Sequence, residues 1–166
     1  VYDIGRGKFD HHGQDAEVRE NGIKYSSFGL LFREFGKDFL KKRNMDDVEE
    51  AFTMIEKELI EGIDAIDNGM FPEITAPYKV KTISDVIKLF NPSYGSRQTE
   101  SEQFIKAVDL AKTILEELLM NVSGKVKAKK IVLEKIKKEK KDYLELEEFL
   151  PYEETILKEE AGNHLL

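Results

Sequence analysis

Apolar residues return at a helical interval along much of this chain, and this periodicity restricts its fold more than any other feature. The clearest run follows Asp46 and Asp47, either of which can cap a helix, and it ends at Asn68 and Gly69. A repeat of about 3.6 residues between these points predicts one amphipathic helix. Its apolar face consists of Val48, Phe52, Ile55, Leu59, Ile63 and Ile66.

Other segments have the same kind of pattern. Ser26 or Ser27 should cap an earlier helix that ends in the basic stretch 41–44. A short helix is expected over residues 83–90, with Thr82 or Ser84 near its cap. A long helix should begin at Thr99, with a candidate bend at residues 123–124. The apolar positions are Phe28, Leu31, Phe32, Phe35 and Phe39 in the first helix, and Phe104, Val108, Ala111, Leu115, Leu118 and Val122 in the long one.

Composition restricts the function classes. The chain has no cysteine, which excludes disulfides and thiolate metal ligands and makes a cytoplasmic location the default expectation. No apolar run is long enough to cross a bilayer. A formal net charge of -7 argues against a surface of general positive potential for duplex nucleic acid, but it does not exclude a local basic groove. The lysine-rich run 125–141 lacks interleaved aromatic residues, so a solvated helix face is favoured over an RNA-binding one.

The tripeptide Asp10-His11-His12 is the first candidate for chemistry. Side chains of neighbouring histidines project in different directions, so one can bind a metal while the other faces a substrate. An adjacent carboxylate can hold an imidazole in one tautomer. A solvated loop with two incidental histidines is an equally acceptable interpretation of the tripeptide alone.

A second candidate is the acidic end of the helix predicted from residue 48. Carboxylates at a helix C-terminus oppose its dipole unless a cation compensates. At 100° per residue, Asp67 should lie beside the apolar face and Asp64 should point further toward solvent. A half-buried Asp67 needs a partner, for which a metal ion is one candidate and a lysine or a backbone N–H group is another. Imidazole and carboxylate ligands without thiolate suit Mn²⁺, Mg²⁺ or Zn²⁺, with Mn²⁺ favoured.

Several short blocks occur in a fixed order along the chain. They are residues 1–3 (VYD), 8–12 (KFDHH), 25–30 (YSSFGL), 35–36 (FG), 63–69 (IDAIDNG), 104–108 (FIKAV) and 144–152 (LELEEFLPY). Together these blocks resemble the melanocyte-proliferating-gene family of metal-dependent hydrolases, within the DHH phosphoesterase superfamily.

The resemblance implies an α/β phosphoesterase domain with a divalent-metal site, followed by a second domain. It also implies relatives that act as RNA exonucleases from the 3′ end. Carried over by motif, His11 is a metal ligand and His12 faces the scissile phosphate or lies close to the metals. Asp10 orients the histidines, and Asp67 is the metal-binding aspartate of the later motif, with Asp64 as second choice.

The family pattern also places a His- and Asp-rich motif and a further aspartate upstream of Val1. We therefore expect a fragment that lacks half of the ligands, binds metal weakly and is incomplete or inactive alone. The chain should be predominantly helical, with short strands at residues 1–4 and 143–146. Residues 1–92 should be the C-terminal part of the phosphoesterase domain, 93–141 a helical connector, and 142–166 the start of a second, truncated domain.

The expected function is that of a phosphodiester hydrolase that depends on divalent metal, with two Mn²⁺ ions in the complete protein, acting as a 3′–5′ exonuclease on RNA or short oligonucleotides. Two alternatives stay open. One is a non-catalytic fragment or helical interaction module, and the other is a phosphatase of a small phosphorylated metabolite or cyclic dinucleotide.

Overall fold

The computed structural model describes residues 7–12, 17–73, 75, 77–138, 145–147, 149–151 and 155. Within these ranges the regular structure is helical, and the one strand-like pairing is an isolated antiparallel bridge between Val18 and Lys24. The prediction of a predominantly helical chain is confirmed. The strand predicted at residues 1–4 lies outside the described residues, as do residues 143 and 144, and residues 145–146 form no strand. The α/β fold of the complete family stays a prediction.

The helices begin where short polar side chains can cap them. Ser26 accepts the backbone N–H of Phe28, and Asp47 accepts that of Glu50. Thr82 forms a reciprocal capping box with Asp85. Of the two capping residues that the sequence allowed at each of these helix starts, the structure therefore has Ser26, Asp47 and Thr82. The helices are α1 (Ser27–Lys42), α2 (Val48–Ile55), α3 (Glu61–Asp67), α4 (Ile83–Lys88) and α5 (Glu100–Lys138).

A π-helical turn, Glu56–Ile60, joins α2 to α3 and corrects the prediction of one uninterrupted helix. In it the Glu61 N–H donates to the Glu56 carbonyl, five residues back instead of four. The fully buried positions on this face follow intervals of four, five and four residues. They are Ala51, Ile55, Ile60 and Asp64. Leu59 of the predicted stripe packs against the core but is only partly buried, and Ile63 is likewise not among the fully buried residues.

The core lies between α1, α2, the π-helical turn and the later half of α5. Although Gly124 was a candidate bend, α5 is continuous through it. In its first half, Phe104 and Val108 of the predicted apolar face are exposed, whereas Leu115 and Leu118 of that face are partly buried and pack against the core. No described helix is long and apolar enough to cross a membrane. The division at residues 92 and 141 stays a prediction. The core residues are Leu40, Ala51, Ile55, Ile60, Leu119, Val122 and Val126.

Candidate metal site

His11 and Asp67 come together although they are far apart in the chain. His11 lies on the segment 7–12 and its side chain is 7% exposed, whereas Asp67 ends α3 with a side chain that is 51% exposed. The His11 Nε2 atom lies 3.0 Å from Asp67 Oδ2. An imidazole nitrogen and a carboxylate oxygen therefore meet at the edge of the molecule, with the carboxylate on the solvent side.

Ser27 fixes the other nitrogen of this imidazole. The Ser27 hydroxyl donates to the Phe9 carbonyl, and its oxygen lies 3.4 Å from His11 Nδ1. Because the only proton of that hydroxyl is used, its oxygen accepts, which assigns the proton of a neutral His11 to Nδ1. The Nε2 lone pair then faces the Asp67 carboxylate. Two acceptors at this distance need a proton or a cation between them.

The pair fits part of a divalent-metal site. Ligands in neighbouring positions of an octahedral ion, at about 2.1 Å from it, are about 3.0 Å apart, which is the distance between His11 Nε2 and Asp67 Oδ2. Imidazole and carboxylate together suit Mn²⁺ and Zn²⁺. The part of the chain that the structure describes contains no group of three or more His, Asp or Glu residues that could hold an ion. His11 and Asp67 would therefore supply only part of a coordination shell.

Asp10 and His12 form a second contact beside this pair. Asp10 Oδ1 accepts the backbone N–H of His12 at 3.0 Å and lies 2.9 Å from His12 Nδ1. The Asp10 side chain is 8% exposed and that of His12 is 62% exposed. The rings of His11 and His12 are 4.1 Å apart, centre to centre. This arrangement holds the His12 ring at the surface next to His11, which is the contact that an orienting role for Asp10 requires.

Asp64 lies elsewhere, and its expected direction was wrong. It is fully buried, while Asp67 is the exposed member of the two. Asp64 Oδ1 accepts the Ser26 hydroxyl at 2.5 Å and the Gly29 N–H at 3.1 Å, and Oδ2 accepts Arg19 Nη2 at 2.7 Å. The cause of the error is the π-helical turn, which adds one residue to the spacing and rotates α3 relative to a uniform α-helix.

Sequence reasoning missed Arg19 and Gly29. Arg19 is buried, donates from Nε to Glu56 at 3.0 Å, and has its guanidinium 3.7 Å from the centre of the Tyr25 ring. Burial lowers the pKa of Arg19, but hydrogen bonds to Asp64 and Glu56 outweigh it, and the pKa lies above its usual value. A glycine within the first turn of a predicted helix was the available signal for Gly29, because glycine there is unfavourable unless something packs closely.

Several lysines in the lysine-rich part of α5 lie beside carboxylates of α2, the π-helical turn and the residues before α2. Lys125 lies 2.7 Å from Glu58, and Lys129 lies 2.8 Å from Glu50. Lys127 also lies near an acidic residue, Asp46, at 3.9 Å. Such pairs offset part of the positive charge of this run. They fit the interpretation of this run as a solvated face that packs beside α2.

Comparisons with known proteins address the chain as a whole. Residues 1–165 match the family model MYG1_exonuc, described as an uncharacterised protein family (UPF0160). A MYG1 protein of Schizosaccharomyces pombe is 30% identical over 122 residues, which is 63% of this chain and 38% of that protein. A MYG1 protein of Dictyostelium discoideum is 28% identical over 123 residues, covering 66% of this chain and 37% of that protein.

The matched region thus spans little more than a third of these relatives' lengths. No solved structure matches the chain. The family match extends over nearly every residue and includes both the segment with Asp10, His11 and His12 and the end of α3. The chain belongs to the MYG1_exonuc family, the melanocyte-proliferating-gene family.

Proposed function

We propose that this chain forms part of a phosphodiester hydrolase that depends on divalent metal and acts as an exonuclease on RNA or short oligonucleotides. The name of the family model supports an exonuclease. The observation that carries the proposal is the contact between His11 Nε2 and Asp67 Oδ2, in which two potential metal ligands converge at the surface. A DHH-type site with two Mn²⁺ ions in the complete protein is part of this proposal.

Each residue of the site has a distinct part in it. His11 and Asp67 bind a metal ion, and Ser27 holds the His11 ring so that Nε2 presents its lone pair. His12, exposed and held by Asp10, lies where it can donate a hydrogen bond to a phosphate oxygen beside the metal. The bound ion supplies Lewis acidity and lowers the pKa of a water molecule. Asp64 takes no ligand role, since its oxygens already accept three hydrogen bonds in the interior.

The direct test is hydrolysis of a short RNA, labelled at its 5′ end, by the full-length protein. Activity should need Mn²⁺ or a similar ion and disappear with a chelator. Stepwise shortening of the labelled RNA would establish attack from the 3′ end. Metal-independent cleavage, or none with any metal, would refute the proposal.

Replacement of the ligands makes the first prediction. His11→Ala should lower kcat/KM by more than about 100-fold, because outer residues of metal sites alone account for 10–100-fold. Asp67→Asn should lower activity more than Asp64→Asn when Mn²⁺ is saturating. The matched control is Asp109→Asn, which removes an exposed carboxylate from α5 and should leave kcat/KM unchanged. Full activity in His11→Ala would exclude it as a ligand.

A helical interaction module is the second candidate function. The observation in its favour is the exposed apolar surface on the first half of α5, where Phe104 is 69% and Ile105 60% exposed. Under this alternative, association through α5 would be independent of metal and unaffected by His11→Ala. Sedimentation of the full-length protein with and without a chelator separates this alternative from the exonuclease.

A further inference from the structure

The buried carboxylate of Asp64 joins three parts of the chain. It receives the Ser26 hydroxyl and the Gly29 N–H from the start of α1, and the Arg19 guanidinium from the segment 17–26. Arg19 continues the connection to Glu56 in the π-helical turn. A single buried cluster therefore fixes α3, the start of α1 and the segment 17–26 relative to one another.

Both members of the candidate metal pair are attached to this cluster. Asp67 lies three residues after Asp64 on α3, so the rotation that buries Asp64 also sets the direction of Asp67. On the other side, Ser27 follows Ser26 directly and contacts His11 Nδ1 and the Phe9 carbonyl. The His11–Asp67 distance thus depends on how the start of α1 is held against α3.

Stability alone does not account for this cluster. Buried ion pairs are often no more stabilising than apolar residues of the same volume. Arg19 Nη1 is buried and has no hydrogen-bond partner among the residues that the structure describes, which is a further cost. What the arrangement does supply is a geometry fixed by charged, directional contacts.

We infer that Arg19 and Asp64 are positioning residues of the metal site, which hold α3 against α1 so that Asp67 Oδ2 meets His11 Nε2. The effect of these residues on metal binding and activity rests on the proposed function. Neither residue touches the metal or the substrate. Their loss should therefore weaken metal binding without removing a ligand, and saturating metal should restore activity.

The test measures the Mn²⁺ concentration that gives half-maximal RNA hydrolysis by the full-length protein. Arg19→Met should raise this concentration at least about tenfold, the scale seen when the support of a metal ligand is removed. Activity at saturating Mn²⁺ should approach that of the wild type, whereas Asp67→Asn should stay low. Glu56→Gln, which loosens Arg19 without touching Asp64, should shift the concentration less but in the same direction. Arg19→Lys, which keeps the charge, should restore most of the Mn²⁺ affinity. If Arg19→Met does not fold, Glu56→Gln carries the test, and an unchanged Mn²⁺ requirement in Glu56→Gln then overturns the inference.

A matched control separates positioning from loss of stability. Leu119→Ala creates a cavity in the core on α5, a helix whose described residues contribute no hydrogen bond to Arg19 or Asp64, and should lower the melting temperature without changing the half-maximal Mn²⁺ concentration. If Arg19→Met and Leu119→Ala lower the melting temperature alike and neither changes the Mn²⁺ requirement, the positioning inference is overturned while the metal site stands.

A second measurement works without metal or activity. In the full-length protein, the ring resonances of His11 can be identified by NMR from their loss in His11→Ala, and Asp67→Asn shows how they change when the contact with Asp67 is removed. Arg19→Met should move the same resonances in the same direction, because the His11–Asp67 contact is lost. If the His11 resonances do not move in Arg19→Met, the positioning inference is wrong, whether or not the protein needs metal. A wild type that needs no metal would refute only the proposed function.

Discussion

Gly29 leaves the space that the Asp64 carboxylate occupies. A Cβ atom at this position would lie 1.9 Å from Asp64 Oδ2 and 2.7 Å from its carboxyl carbon. The neighbour is a buried charge held by Arg19, so it cannot move aside without losing its partners. A helix position that ordinarily favours alanine therefore requires glycine here.

We expect Gly29→Ala to destabilise the protein by at least about 3 kcal/mol, the lower range for breaking a buried ion pair. The matched control is Gly124→Ala, since nothing lies within 4 Å of a Cβ atom there and the residue is inside α5. The control should stabilise the protein by about 0.5–1 kcal/mol. Urea unfolding of both variants measures the difference, and a neutral Gly29→Ala would contradict the observed packing.

Some residues of the candidate site could be chosen from the sequence alone, and others could not. The Asp10-His11-His12 block and the first choice of Asp67 came from motifs, which depend on residue order alone. Arg19 lies in a polar stretch without periodicity, and its contact with Asp64 joins residues 45 positions apart. No local pattern carries such a contact, so only the fold could reveal it.

The π-helical turn is the most informative element, because one residue there changes which side chains are buried. Its Ile60 is fully buried while Lys57 is exposed. A uniform α-helix would place the fourth residue after Ile55 in the core, and the turn places the fifth there instead.

Deletion of Lys57 should therefore be tolerated. It changes the intervals between Ala51, Ile55, Ile60 and Asp64 from four, five and four to four throughout, which a plain α-helix accommodates. We expect a stability change within about 1 kcal/mol, with the contact between His11 and Asp67 retained. Thermal unfolding and the His11 ring resonances measure both.

An alanine inserted after Lys57 is the matched control. It lengthens the middle interval to six residues and turns Asp64 away from Arg19, which should cost at least about 3 kcal/mol. Equal effects of the deletion and the insertion would show that the π-helical turn does not set the register of α3.

The helices themselves were predictable and this turn was not. Ser26, Asp47 and Thr82 are short polar residues before apolar runs, and each caps a helix as its sequence context predicts. The apolar pattern Val48 to Ile66 fits a uniform helix equally well, because Leu59 and Ile60 are both apolar. The packing of Asp64 against Arg19 and Gly29 favours the helix with the π-helical turn over a uniform α-helix.

At the scale of the whole molecule, Arg43 ties the end of α1 to α5. It forms a two-pronged ion pair with Glu116, in which Nη2 lies 2.6 Å from Oε1 and Nη1 bonds Oε2. The hydrogen bond from Arg43 holds the pKa of Glu116 below its ordinary value of 4.5. A carboxylate with a lowered pKa stabilises the fold above its unfolded pKa and loses that effect as the pH falls through the folded pKa.

We expect Arg43→Met to lower the free energy of unfolding slightly at pH 7, since both side chains are partly exposed. The difference from the wild type should shrink below pH 4.5 and disappear at lower pH. Lys42→Met, which removes a neighbouring exposed cation on α1, is the control and should show no such dependence on Glu116. A difference that stays constant over the acid range would contradict the role of this pair.

The length of α5 has a consequence for the shape of the molecule. Its 39 residues, at about 1.5 Å each, make a rod about 58 Å long. A chain of this size folded into a compact globule has a radius of gyration of about 15 Å and is about 40 Å across. A straight α5 cannot fit inside such a volume. Because its buried apolar side chains all lie from Leu119 onward, the end that extends is the one with Phe104 and Ile105. Small-angle scattering from this 166-residue chain should therefore report a maximum dimension at least as large as the length of this rod.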